Sequence, residues 1–188
     1  MADKVKFGIK NVHVFPIDSL TDGVPTYGDV INVPGAVSFS MSAQGDINKF
    51  YADNIVYYQS AANNGYEGDL VLALIPEAFY EKIFRQIPDV NKVMTEDASA
   101  EAKSFAMTFE EDGDQTGTKF VLYNCTATRP TKELNTIEDS KTPVTQTLTV
   151  SSAPLPNGRV MSMTTSQTPD GVKNAWHTAP YIPTSQTT

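Results

Sequence analysis

The sequence predicts a mainly β protein: a β-sandwich or barrel-like fold with one flanking α-helix at about residues 76–87, a long hairpin and extended terminal arms. Three observations carry this expectation. Several short runs alternate apolar with small polar residues and are separated by turn residues, as in strands that cover a core on one side. Only one run repeats apolar residues at helical spacing. Hydrophobic residues make up 40 % of the chain and charged residues only 19 %, which suits a real core beneath weakly charged surfaces. The 188 residues fit one domain, 1–188, with an N-terminal arm at 1–16 and a C-terminal arm at 165–188.

In chain order, Val5, Phe7 and Ile9 alternate with Lys4, Lys6 and Lys10, which fits a short amphipathic strand or an arm. Pro16, Asp18, Asp22, Gly23, Pro25 and Gly28 mark residues 16–28 as a loop. From Ala36 to Ser42, Val37, Phe39 and Met41 point one way and Ser38, Ser40 and Ser42 the other. Gln44-Gly45-Asp46 reads as a turn into a second strand, Phe50–Tyr58, and Asn63-Asn64-Gly65 as the next turn. Glu67–Ile75 carries apolar residues on both faces, the pattern of a strand buried on both sides. Pro76 suits a helix start, Phe79, Ile83 and Ile87 form an i, i+4, i+8 stripe with Phe84 beside it, and Pro88 ends the helix. Phe105, Met107 and Phe109 alternate as a strand, Asp112-Gly113-Asp114 turns, and Lys119–Thr126 returns. Residues 128–143 read as a long loop, and Val144–Ser152 as a strand with Thr145, Thr147, Thr149 and Ser151 on one face. Val160–Thr164 follows the turn Pro156-Asn157-Gly158, and the residues from Pro180 read as a mobile tail.

Charge and composition narrow the function. Fourteen Lys and Arg against 22 Asp and Glu give a net charge of −8, which disfavours general nucleic-acid binding, because phosphate affinity comes from cations. One Cys excludes an intrachain disulfide framework and a four-cysteine zinc site, and the two histidines, His13 and His177, lie far apart in the sequence in no ligand spacing. The longest apolar run, Leu70–Pro76, is too short to span a bilayer, so no membrane partner is expected. Met1-Ala2-Asp3-Lys4 leads into alternating residues and not an apolar leader, so synthesis and folding in a cytoplasm are expected.

No residue set nominates catalysis, a cofactor or a metal. Asp112–Gly117 resembles the first half of a calcium loop, but position twelve is Tyr123, and a hairpin turn explains the same residues. Cys125 has no nearby histidine and reads as a buried structural thiol. Trp176 is either a core plug or an anchor of a subunit contact, and His177 is its neighbour. Glycine-rich phosphate loops and nucleophile elbows are absent from the sequence. The residues themselves therefore predict an acidic β protein that binds or assembles, and not an enzyme.

Four segments add a resemblance. Lys4–Asn11 (KVKFGIKN), Gln44–Tyr58 (QGDINKFYADNIVYY), Asn63–Pro76 (NNGYEGDLVLALIP) and Val121–Pro130 (VLYNCTATRP) resemble, in the same order, the major tail (tail tube) proteins of siphophages that infect Gram-positive bacteria. The resemblance covers most of residues 4–180 and implies a structural subunit of stacked hexameric rings. These form a non-contractile tube through which double-stranded DNA passes without specific binding. It implies a sandwich subunit whose long hairpin and terminal arms contact the next ring, and whose inner sheets close into one barrel. It also implies a tape measure protein, a tail terminator and distal tail or baseplate proteins as partners, and a place in the virion tail after assembly in the host cytoplasm.

A lumen needs a polar face without cations, since cationic contacts would hold DNA. The candidate lumen residues are Ser38, Ser40, Ser42, Asp46 and Asp53, with Thr145, Thr147 and Thr149 as a second hydroxyl run. The candidate subunit contacts are Gln44, Asp46, Lys49, Asn54 and Trp176. Two other classes compete. A carbohydrate-binding β-sandwich would need an exposed aromatic platform, which Tyr51, Tyr57 and Tyr58 could supply, although strand packing also accounts for them. The tube of a contractile tail or secretion system is the nearest structural alternative.

Overall fold

The computed structural model describes residues 8–113, 117–134, 136 and 143–184. Its elements are β1 (Gly8–Thr21), β2 (Val24–Tyr27), β3 (Ile31–Asn32), β4 (Ala36–Gln44), β5 (Ile47–Ala52), β6 (Ile55–Ala61), β7 (Gly65–Leu72), α1 (Glu77–Lys82), β8 (Phe105–Asp112), β9 (Lys119–Ala127), β10 (Gln146–Ser152), β11 (Met161–Met163) and α2 (Asp170–Ala175). The main sheet runs β2-β1-β8-β9-β10-β7-β4, with β3 beside β1 and β11 beside β9, while β5 and β6 pair only with each other. All pairings are antiparallel.

The sheet folds over at β9. Phe120, Val121 and Leu122 pair with β11, whereas Cys125, Thr126 and Ala127 pair with β10 along the same edge. This brings β10, β7 and β4 over β1 and β8, with the core between the layers. Val12, Val14, Leu70, Leu72, Met107, Leu122, Leu148 and Val150 fill it. Phe39 of β4 meets Phe109 of β8 edge-on at 5.4 Å, and Phe109 stacks on Phe120 at 5.1 Å. Helix α1 closes one end. Its Phe79 is buried edge-on against Phe105 at 5.7 Å and Phe84 at 5.3 Å, a burial worth about 1.5–3 kcal/mol.

The period-two reading holds in β10, where Leu148, Val150 and Ser152 are buried and Thr147 and Ser151 exposed, whereas β8 is buried on both faces from Phe105 to Glu110, and β9 has Leu122 in the main core and Val121 and Tyr123 in a second cluster with Trp176. Elsewhere the structure corrects it. From Gly8 onward the segment expected as an N-terminal arm is β1, with Val12, Val14 and Phe15 in the core. Residues 1–7, with Val5 and Phe7, lie outside the described residues. Residues 16–28 are not one loop: β1 continues to Thr21, turns at Asp22-Gly23 and returns as β2. The expected alternation in β4 breaks at Val37, which is 57 % exposed, because the register shifts between Ala36 and Ser38 and Ala36 takes the core side instead. Strand β7 is buried on one face only, since Glu67 and Asp69 are exposed.

The helix is shorter than the stripe suggests. Arg85 turns left-handed (φ 58°) and Gln86 N–H bonds back to Tyr80 O at 3.0 Å, so Ile87 falls outside it and is 68 % exposed. The tail is not free either. Tyr181 stacks on Trp176 at 5.2 Å and Pro180 is buried, so the chain is held down well beyond residue 165. The middle of the Asp112–Gly117 turn and most of the 128–143 loop after Leu134 lie outside the described residues.

Candidate functional site: a hydroxyl face and a projecting ribbon

The outward face of β4, β7 and β10 carries the two hydroxyl runs that the sequence nominates. Strand β7 lies between them, so the register makes rows across the sheet: Ser38, Val71 and Thr147; Ser40, Asp69 and Thr149; Ser42, Glu67 and Ser151. Thr149 Oγ1 donates to Asp69 Oδ1 at 2.7 Å, which fixes one carboxylate in the middle of the face. No Lys or Arg stands in these rows. Thr145 precedes β10 and extends the run at its edge. Small hydroxyls with interspersed carboxylates repel phosphate and offer it no cation to exchange for its counterions.

Two glycines let this face form. A Cβ on Gly68 would collide with the Ser40 carbonyl oxygen and come within 2.6 Å of Met41 Cα, so glycine is what allows β4 to close on β7. Gly65 is left-handed (φ 104°), and a Cβ there would collide with the Ser152 carbonyl oxygen.

Beyond β4 and β7 the chain continues as a free ribbon. Gln44-Gly45-Asp46 is not a turn. Asn64 N–H donates to Gln44 O at 2.8 Å and Ala62 N–H to Asp46 O at 3.0 Å, which joins the β4–β7 pair to the β5–β6 pair as one long arm. Phe50–Tyr58 is likewise not one strand but the end of the arm, reversing at Asp53-Asn54. Both residues are left-handed (φ 51° and 62°), the conformation of a two-residue hairpin turn, and Asp and Asn tolerate it better than bulky residues do.

The ribbon exposes Ile47, Phe50, Tyr51, Ile55, Val56, Tyr57 and Tyr58, with Tyr57 71 % exposed. An isolated two-stranded ribbon is marginal in water, and an apolar surface this rich marks a contact site. The register places Phe50 opposite Tyr58 on one face and Tyr51 opposite Val56 on the other. Tyr51 and Tyr58, two of the three rings that the sequence offers for a sugar-binding platform, therefore stand on opposite faces.

The sequence-nominated residues thus separate. Ser38, Ser40 and Ser42 share the hydroxyl face. Gln44, Asp46, Lys49 and Asn54 are strung along the arm. Asp46 and Asp53 lie at its base and tip and not beside the serines. Trp176 is corrected from a subunit contact to an internal one: it is 3 % exposed, packs with Val121, Tyr123 and Leu155, and donates from Nε1 to Phe120 O at 3.0 Å. Cys125 is fully buried, and burial pushes its thiol up to about 12. Sequence reasoning missed the ribbon's aromatics as contact residues, although seven large apolar side chains in a dozen positions was an available signal. Among the described residues no cluster of three or more His, Cys, Asp or Glu is placed to hold a metal ion, and no helix is long and apolar enough to cross a membrane.

Comparison with known proteins decides the family. The family model described as "Phage tail tube protein" matches residues 2–180. The chain belongs to the phage tail tube protein family. This family is structural and not enzymatic, and its members are components of the virion tail. No curated protein matches the chain by sequence. Among solved structures, the chain is similar to a chain of the anti-feeding prophage baseplate, at 11 % identity and a TM-score of 0.46, covering 89 % of this chain and 99 % of that one. It is similar to a chain of the anti-feeding prophage tube-terminating cap at 15 % identity and a TM-score of 0.46, covering 88 % and 99 %.

Proposed function

We propose that this tail tube protein is the repeating subunit of the non-contractile tail of a siphophage infecting Gram-positive bacteria, assembled in the host cytoplasm. Subunits close into hexameric rings, the rings stack, and double-stranded DNA passes through the bore without specific binding. The observation that carries this reading is the cation-free face of β4, β7 and β10, with Asp69 and Glu67 set between hydroxyl rows. Turned to the lumen, it gives DNA a wall that neither grips nor traps phosphate.

The arm supplies the contact that makes filaments. Its apolar side chains stand exposed on the single subunit, so a neighbouring subunit or ring covers them, and head-to-tail contacts of this kind extend without closing. Strand β4 is an edge of the main sheet, and pairing it across a ring junction removes an unprotected edge. The tube then meets a tape measure protein in the bore, a terminator at one end and distal tail or baseplate proteins at the other.

Electron microscopy of the purified protein, concentrated stepwise with and without a tail-tip initiator, tests the reading. Six-fold rings or hollow tubes are expected. Single particles under every condition, initiator included, would refute it.

A further inference from the structure

His13 and His177, at opposite ends of the chain, meet in the folded subunit. Their rings stack with centroids 4.9 Å apart and planes 25° apart. A bulge in β1 makes this possible. The β1–β8 register shifts between Lys10 and His13, and Asn11 there is left-handed (φ 54°). The bulge aims the Asn11 amide at Glu110, to which Nδ2 donates at 3.0 Å, and presents the Asn11 carbonyl to His13 Nδ1 at 2.9 Å.

His177 enters this cluster from the C-terminal segment. Its Nδ1 is 3.0 Å from Thr108 Oγ1. Its Nε2 is buried without a hydrogen bond, 3.7 Å from Glu110 Oε2. Glu110 is 9 % exposed and already engaged by Lys10 at 3.5 Å and Lys119 at 3.6 Å, while Lys10 also pairs with Asp112 at 3.0 Å. The groups facing His177 are His13 from β1, Thr108 and Glu110 from β8 and Lys119 from β9, with Lys10 and Asp112 beyond Glu110. Among the described residues the close carboxylate, Glu110, is already shared with two ammonium groups, so it offsets only part of the burial that opposes a proton on His177.

We propose that this cluster is a proton-sensitive latch: neutral His177 holds the C-terminal segment, residues 170–184, against β8 and β9, and acid releases it. Helix α2 buries none of its residues. Besides His177, the segment is held by Trp176 in its pocket with Nε1 donating to Phe120 O at 3.0 Å, Val172 packed on the same cluster, Tyr181 stacked on Trp176, Tyr123 OH donating to Tyr181 O at 2.8 Å, and Arg159 reaching Pro183 O at 3.2 Å. Burial, then His13 and Lys119, push His177 down to about 4 from 6.5, against the opposing pull of Glu110. A histidine whose docked form titrates lower than its free form binds more protons when released. The docked state thus weakens as pH falls below 6.5 and stops weakening below about 4. Over that window the detachment constant rises at most about 300-fold, the antilogarithm of the 2.5-unit difference. The latch belongs to the single subunit and does not depend on the tube reading.

Trp176 is the chain's only tryptophan, so its fluorescence reports the segment directly. The test is acrylamide quenching of the dilute subunit from pH 7 to pH 4, with far-UV circular dichroism to follow the sheet. The expected result is a rise in quenching between pH 6.5 and 4 with the sheet intact, and loss of that midpoint in His177→Gln. A Trp176 that stays shielded at pH 4, or an unchanged midpoint in His177→Gln, would overturn the proposal. Should His177→Gln fail to dock at neutral pH, the wild-type His177 ring is titrated by NMR. A midpoint well below 6.5 supports the latch, and an ordinary one overturns it.

Discussion

Gly68→Ala is the sharpest small perturbation of the hydroxyl face. Gly68 is not left-handed, so alanine meets no backbone penalty and the whole cost is contact. The new methyl would strike the Ser40 carbonyl and crowd Met41 Cα at 2.6 Å, both backbone atoms of β4 that cannot swing aside as a side chain would. Overpacking of this kind costs about 1–3 kcal/mol. Moving β4 away also lengthens one or two ladder hydrogen bonds beside Ser40 and Met41, each worth about 0.5–1.5 kcal/mol. The expected loss is about 1.5–6 kcal/mol, a large share of the 5–15 kcal/mol typical of a domain. Urea unfolding of the dilute subunit, followed by circular dichroism, reads it as a lower midpoint at unchanged slope. A loss under about 0.5 kcal/mol, the level of a neutral surface change, would refute the close β4–β7 approach and with it the Ser40, Asp69 and Thr149 row.

Three further outcomes follow from the same geometry. Phe50→Ser with Tyr57→Ser, both on the exposed ribbon, leaves the subunit's stability within about 0.5 kcal/mol but stops assembly, as sedimentation velocity would show; equal loss of stability would mean that the ribbon packs on its own subunit. Ser40→Lys with Thr149→Lys puts two ammonium groups beside Asp69 and turns that acidic row cationic, so assembled tubes gain DNA retention that weakens steeply with salt in a filter assay; unchanged retention would remove this face from the bore. Cys125, fully buried with its thiol pushed up to about 12, resists a thiol reagent at pH 8 until the chain is unfolded, and rapid stoichiometric labelling of the native protein would contradict its placement.

Alternation identified β4 and β10 because each has one face on the core, and burial writes itself into the sequence with period two; in β8 the apolar face Phe105, Met107 and Phe109 alternates, but Ala106, Thr108 and Glu110 between them are covered as well, which the sequence does not signal. It placed Ser38, Ser40 and Ser42 on one face, and the register then set Thr147 and Thr149 on the same face through β7. The ribbon defeated the same logic. Phe50, Tyr51, Tyr57 and Tyr58 have the hydrophobicity of a core strand, yet they stand outside the core, and hydrophobicity alone does not distinguish the inside of a subunit from a surface awaiting a partner. The helix is shorter than its stripe for a different reason: the stripe continues to Ile87, but Arg85 breaks the backbone before it. The His13–His177 stack rests on a bulge at Asn11 and a fold that brings the two ends together, neither of which has a local signature.

The central claim is that one face of the subunit lines a bore and one ribbon joins it to its neighbours. A cryo-EM reconstruction of the assembled protein tests both at once. Ser40, Asp69 and Thr149 are expected on the inner wall of a six-fold tube, with Phe50 and Tyr57 buried between subunits. A map with that face on the outer surface, or with the ribbon projecting free into solvent, would contradict it.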